Sequence, residues 1–475
     1  MHDLMRKPIL KTVMVSSLAI LLGGCINLAP DYVRPAAPVP LAWSQGATQG
    51  TAQEAADVID WRNFFMDARL REVIELTLAN NRDLRIAVLN IEKARAQYRI
   101  QDAAGFPALG VTAGGSVTRT PAGQGSANAA VIARNQSVQL GFSSYELDFF
   151  GRLQNLSAAA LASYQFNVEM QRSVQISLVA EVAGAWLALA ADSERLQLAR
   201  DTLKSQQISY DLSQRSHAIG ATSGLDLSTA QASVEAAQVD LGEFTSRAQQ
   251  DANALNLLAG ITVPAHLLPD SIPNASAPLL ATPAELSSVL LLKRPDVLAA
   301  EQTLIAANAD IGAARAAFFP SITLTAAGGT ASSSLAGLFK AGSGAWSFMP
   351  SINVPIFNAG RNRASLDVAK VSREIEIANY EKAIQTAFRE VADALAERAT
   401  LDQRLSAQQR LADASAKSYR LSEARYRSGL DSYLNSLVAE RSWYGARQNL
   451  ISLRLLEQSN RINLYKAMGG GWSDS

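Results

Sequence analysis

The sequence predicts a mainly α-helical, internally duplicated fold that also contributes four strands to a transmembrane β-barrel. Three observations predict it. An offset of 209 residues maps Gly151-Arg152 onto Gly360-Arg361, Glu181-Val182-Ala183 onto Glu390-Val391-Ala392, Gly220 onto Gly429, Leu225 onto Leu434, and Ala259-Gly260 onto Met468-Gly469. A register kept without insertion over about 110 residues marks a duplication. Residues 152–219 and 361–428 contain no proline, so each reads as one helix about 100 Å long. Each half also carries two short segments in which the hydrophobic period changes from helical to two.

The elements follow in order. Arg6, Lys7 and Lys11 precede a short apolar run from Val13 to Leu22, then Gly23-Gly24-Cys25. This pattern is a secretory signal, since the run is too short to span a membrane. Leu22-Gly23-Gly24-Cys25 resembles a bacterial lipobox, which makes Cys25 the acylated N-terminus of the mature chain. Ile26, rather than Asp, follows it and favours the outer membrane by analogy with known lipoproteins. Residues 26–66 are rich in Pro, Gln, Gly and Thr and read as an extended tether lying on the body. Asp67 caps a helix in which Leu84, Val88, Ile91, Ala94 and Tyr98 share a face, and Phe106-Pro107 ends it. Leu109, Val111 and Ala113 alternate, a Gly/Ser-rich loop spans 114–130, and Val138, Leu140 and Phe142 alternate again. The long helix 152–219 turns at Gly220 into a half-length helix, about 225–258. The second copy repeats the order: a half helix at about 283–317 introduced by Thr282-Pro283-Ala284-Glu285, Phe319-Pro320, a hairpin with strands near 322–325 and 352–356, the helix 361–428, a turn at Gly429, and a half helix 434–467. Two half helices end to end match one long helix in height, so each chain supplies four columns. The domain plan is a signal peptide 1–24, a lipidated tether 25–66, a first repeat 67–260, a linker 261–281, a second repeat 282–469 and a tail 470–475.

Composition excludes several functions. Lys+Arg and Asp+Glu both number 43, so there is no basic excess for nucleic acid. One Cys and three His rule out a disulfide framework and a Cys-based metal site. No catalytic constellation, phosphate-binding loop or nucleotide motif occurs, and carboxylates lie among basic residues on helical surfaces. The chain is predicted to be no enzyme and to use no cofactor or metal. His217, just before the first turn, reads as an exposed helix-end residue. The strands are apolar on one face and small or polar on the other, as a barrel between lipid and water requires. Beyond the signal, no run of 18 apolar residues competes for the membrane. Four strands cannot close, and an open edge is not tolerated in lipid, so such a chain must oligomerise.

Four stretches carry a family likeness: Asn80-Asn81-Arg82-Asp83-Leu84-Arg85, Tyr145-Glu146-Leu147-Asp148-Phe149-Phe150-Gly151-Arg152, Ile311-Gly312-Ala313-Ala314-Arg315-Ala316-Ala317-Phe318-Phe319-Pro320, and Asn463-Leu464-Tyr465-Lys466-Ala467-Met468-Gly469-Gly470-Gly471-Trp472. With the element order, they make the mature chain resemble the OprM-type channel lipoproteins of tripartite RND efflux pumps (NodT group), within the TolC-like outer-membrane factors. The resemblance implies a homotrimer with a twelve-stranded barrel in outer-membrane lipid and a twelve-helix periplasmic tunnel, with 26–66, 261–281 and the C-terminus as an equatorial belt. It implies passive efflux of drugs, solvents or other toxic small compounds, hence antibiotic resistance, with a periplasmic adaptor and an inner-membrane RND pump as partners. It places an iris-like gate at the periplasmic turns. Leu434 aligns with a pore-constricting leucine, while Val438 stands where relatives carry an acid. That departure points to an apolar constriction that gates by dewetting. Arg425, Tyr426 and Asp431 are expected to hold the turns shut. Gly220, Gly429 and Leu225 mark the tips and the adaptor contact. Two alternatives stay open at this point: the exit channel of a type I protein secretion system, and a non-channel periplasmic coiled-coil structural lipoprotein.

Overall fold

The computed structural model describes residues 26–41, 43, 60–123, 129–273 and 288–470. The signal peptide, Cys25 and the Thr282–Glu285 helix start lie outside the described residues. The elements are α1 (Trp61–Phe64), α2 (Ala68–Asn80), α3 (Arg82–Ala103), β1 (Gly110–Thr120), β2 (Val131–Leu147), α4 (Arg152–Ala218), α5 (Gly224–Ala259), α6 (Pro295–Ala316), β3 (Ser321–Ser332), β4 (Gly344–Asn353), α7 (Arg361–Arg427) and α8 (Tyr433–Ala467), with 3₁₀ turns at Ala265–Leu267, Ser288–Lys293 and Leu335–Gly337. Both long helices have 67 residues. The described residues fall into two compact units.

One unit holds residues 26–36, Ile91–Asn167 and Ala300–Tyr380. Its four strands form one antiparallel sheet in the order β1-β2-β3-β4, so the hairpins of the two repeats pair through β2 and β3. The register places Val111 opposite Leu140, Leu140 opposite Gly328, and Gly328 opposite Trp346, so one face collects Val111, Leu140, Trp346, Phe348 and Ile352. That face is open, with Trp346 82% exposed. The opposite face carries Thr112, Ser116, Ser137, Gln139, Thr323, Thr325, Ser347 and Ser351. A bulge between Phe142 and Tyr145 inserts one residue, with Ser144 at φ 57°. It keeps Tyr145 and Leu147 on the apolar face beyond the break. The strands run further into the Gly/Ser segments than composition suggests, to Thr120 and Ser332, because ladder pairing rather than side-chain hydrophobicity decides their length. β4 ends at Asn353 and not at Ile356, because Pro355 has no N–H to donate.

In the same unit residues 26–34 lie along α6. The Ile26 N–H donates to Phe149 O at 3.1 Å. Arg315 donates to Leu28 O at 2.9 Å, Asn308 to Pro30 O at 2.8 Å, and Glu301 accepts from the Tyr32 hydroxyl at 3.0 Å and from Arg34 Nε at 2.7 Å. The helical partners are seven residues apart, two turns, and so share a face.

The other unit holds residues 37–43, 60–90, Val168–Ala299 and Glu381 to 470 among those described. Its core gathers Phe64, Leu70, Ile74, Val182, Trp186, Leu255 and Tyr465. Phe64 stacks on Tyr465 at 4.0 Å, and Trp186 Nε1 donates to Leu267 O at 3.0 Å. Residues 60–65 therefore differ from the tether that composition predicts, since Trp61, Phe64 and Phe65 are buried anchors. α4 contains an 18-residue window apolar enough to cross a membrane by length and composition, but Val182, Ala183, Trp186 and Leu187 in this helix are fully buried core residues.

The half helices meet end to end. Asn81 is extended at ψ 136° and breaks in two the helix predicted between the Asp67 cap and Phe106-Pro107. Its side chain caps Leu84 N at 2.8 Å and donates to Leu258 O, near the end of α5, at 2.8 Å. In the second repeat Arg294 donates to Ala467 O, the last residue of α8, at 2.7 Å, and pairs with Asp296 and Glu390. α6 begins at Pro295 instead of near 283, because the residue before a proline leaves the helical region and proline suits the first helical position.

Candidate functional site

Both turns are built alike. At the first, Gly220 has φ 75°, its N–H donates to His217 O at 2.9 Å, and Ala221 N–H donates to Ser216 O at 2.8 Å. At the second, Gly429 has φ 70°, its N–H donates to Tyr426 O at 2.9 Å, and Leu430 N–H donates to Arg425 O at 2.9 Å. This paired bonding closes the C-terminus of a helix around a left-handed residue, for which glycine is suited.

The returning helices start differently. Ser223 caps α5, accepting from Asp226 N at 3.1 Å, while the Asp226 carboxylate accepts from Ser223 N at 3.4 Å. Ser432 makes no side-chain cap, and beside it stands Asp431. Its carboxylate accepts from Asn435 Nδ2 at 2.6 Å, from Ser432 N at 2.9 Å and from Arg425 Nε at 3.2 Å. Those donors, Asn435 foremost, then Ser432 and Arg425, hold the Asp431 carboxyl below the usual carboxylate range. Arg425 and Asp431 thus meet each other within one turn. Tyr426 reaches elsewhere: its hydroxyl lies 3.4 Å from Ser213 Oγ of α4, and its ring lies 5.4 Å from that of Tyr433. His217 is exposed and its Nδ1 lies 3.0 Å from Thr222 O, a contact internal to the first turn.

α8 presents two faces here. Tyr433, Ser436, Leu437 and Glu440 are buried, with Tyr433 and Leu437 packed on Ala230. Leu434 and Val438, one turn apart on another face, are 57% and 56% exposed. Leu225, the first-repeat counterpart of Leu434, is also exposed. Sequence reasoning missed a polar network just above. Gln206 Nε2 donates to Glu440 Oε2 at 2.7 Å, Gln206 Oε1 accepts from the Tyr433 hydroxyl at 3.3 Å, and Ser205 Oγ lies 2.9 Å from the Tyr419 hydroxyl. Burial pushes the Glu440 carboxyl up to about 7. The signal was present: Glu440 follows Tyr433 by two turns on a stripe otherwise fit for the core. Among the described residues no group of His, Cys, Asp and Glu is arranged to hold a metal ion.

Residues 73–261 and 286–470 match the family model described as outer membrane efflux protein. The chain belongs to the outer membrane efflux protein family. This efflux protein is 47% identical over 458 residues to the toluene efflux pump outer membrane protein TtgC of Pseudomonas putida and equally to the antibiotic efflux pump outer membrane protein ArpC of the same species, covering 96% of this chain and 94% of each relative. The open-state structure of the Neisseria gonorrhoeae MtrE outer membrane channel superposes with TM-score 0.84 at 39% identity, covering 94% of this chain and 98% of that one. The efflux protein is an outer-membrane exit duct of a tripartite pump that extends into the periplasm, a transport role rather than an enzymatic one. Its sheet and long helices are those of the barrel and tunnel of the family's channels.

Proposed function

We propose that three copies of the chain, anchored by acylated Cys25, enclose a duct whose periplasmic end closes as an iris at the six turns around Gly220 and Gly429. The observation that carries the gate is the Leu434–Val438 face, where two apolar side chains stay exposed on α8 beside a stripe already buried within the chain. Three such faces brought together form an apolar constriction that excludes water and ions until the turns part. Arg425 and Asp431 keep the second turn rigid, and Tyr426 ties α7 to α4, so each chain moves its turn as one body. The turn tips, with Leu225, offer the contact for a periplasmic adaptor, which links the duct to an inner-membrane RND pump. The substrates are small toxic compounds, as the names of the toluene and antibiotic efflux relatives suggest. The same names favour this reading over protein secretion, and the open apolar face of the sheet favours it over a structural lipoprotein without a channel.

Leu434→Ala shortens the apolar side chain at the constriction. Conductance of the purified protein in planar bilayers is expected to rise several-fold. Unchanged conductance removes Leu434 from the gate.

A further inference from the structure

Glu440 is a carboxyl group enclosed near the turns, 4% exposed, where three helices of the chain meet. α4 reaches it through Gln206, and the Ser205–Tyr419 bond beside it ties α4 to α7. Its Oε1 is buried and makes no hydrogen bond. The groups facing it are the neutral Ser205 and Gln206 from α4, Tyr419 and Glu423 from α7, and Tyr433, through Gln206, from α8 itself. Arg441, next along α8, bears on Tyr433. Among the described residues no cation pairs with Glu440. An anion here is opposed first by its lost hydration and also by the like charge of Glu423; Ser205, Tyr419 and Gln206 favour it, but the loss of hydration outweighs them.

We propose that Glu440 is a positioning residue of the gate: in its neutral form it latches α8 to α4 and α7, and loss of its proton releases the helix that carries the Leu434–Val438 face. The inference rests on the iris reading. Its sign follows from the raised folded-state value. Below the ordinary carboxylate value of 4.5 the latch is at full strength, and it is lost as pH rises to about 7, where the enclosed carboxyl ionises.

The test uses the full-length acylated protein. Wild-type conductance in planar bilayers is expected to be at least about threefold higher at pH 8 than at pH 5, within the tenfold per unit that a raised pKa allows. Glu440→Gln, neutral at every pH, is expected to hold the pH 5 value throughout. Gln206→Leu removes the N–H that steadies the anion and is expected to move the transition to higher pH. Hydrogen exchange of the amides at 433–440, corrected for intrinsic rates, reads the latch without reference to conduction and is expected to quicken from pH 5 to pH 8 in wild type only. Unchanged conductance in Leu434→Ala defeats the iris alone. Exchange that does not respond to pH in wild type, or a pH response that survives in Glu440→Gln, overturns the latch.

Discussion

At Gly429 the backbone is left-handed and a Cβ would meet nothing within 4 Å, so a side chain there costs backbone strain and no clash. Gly429→Ala is expected to weaken the turn by about 1 kcal/mol. Hydrogen exchange at the Leu430 amide, bonded to Arg425 O, should then be about fivefold faster. The two turn glycines were legible because a lone glycine between long helical runs, repeated at a fixed offset, has one economical explanation. The role of Asp431 was legible only as polarity. Its spacing from Arg425 suits a bond to its own turn as well as to another, and only the structure shows that it bonds its own turn.

Among the elements, the strap along α6 has the most geometrical content. The six extended steps from Leu28 to Arg34 span about 20 Å, and the fourteen helical steps from Arg315 back to Glu301 rise about 21 Å. The match lets one side chain every two turns take one strap contact. Glu301 is buried and accepts from both Tyr32 and Arg34. Glu301→Ala is expected to cost the strap about 1 to 2 kcal/mol, discounted because Arg34 is half exposed. Limited digestion with a broad-specificity protease should cut within 26–36 faster than in wild type, with the rest of the chain intact. Proline and polar content announced an extended segment there, but nothing in that composition named its partner helix. The junctions at Asn81 and Arg294 were hidden for a related reason: a capping side chain and a carbonyl 173 or 177 residues away leave no joint pattern.

For the whole molecule, anchoring and closure belong together. Cys25 lies outside the described residues, while Ile26 is already bonded to Phe149, just beyond β2. The acylation proposed for Cys25 falls one residue before that bond. Cys25→Ser is expected to abolish incorporation of labelled palmitate and leave trimer assembly intact. Persisting label would remove the lipobox reading.

Local periodicity and covalent order were sufficient for much of this protein: the duplication, the two Pro-free helices, the hairpins, the turns and the resemblance to outer-membrane efflux channels. Each rests on neighbours in sequence or on a constant offset, which survive without knowledge of packing. The tertiary structure alone decided that the two hairpins pair through β2 and β3, that half helices join at Asn81 and Arg294, and that Trp61, Phe64 and Phe65 are core. It also singled out Glu440 from the chain's many carboxylates. Burial is a property of what surrounds a side chain, and those surroundings arrive from helices more than 200 residues away in sequence, such as the one that brings Gln206 to Glu440.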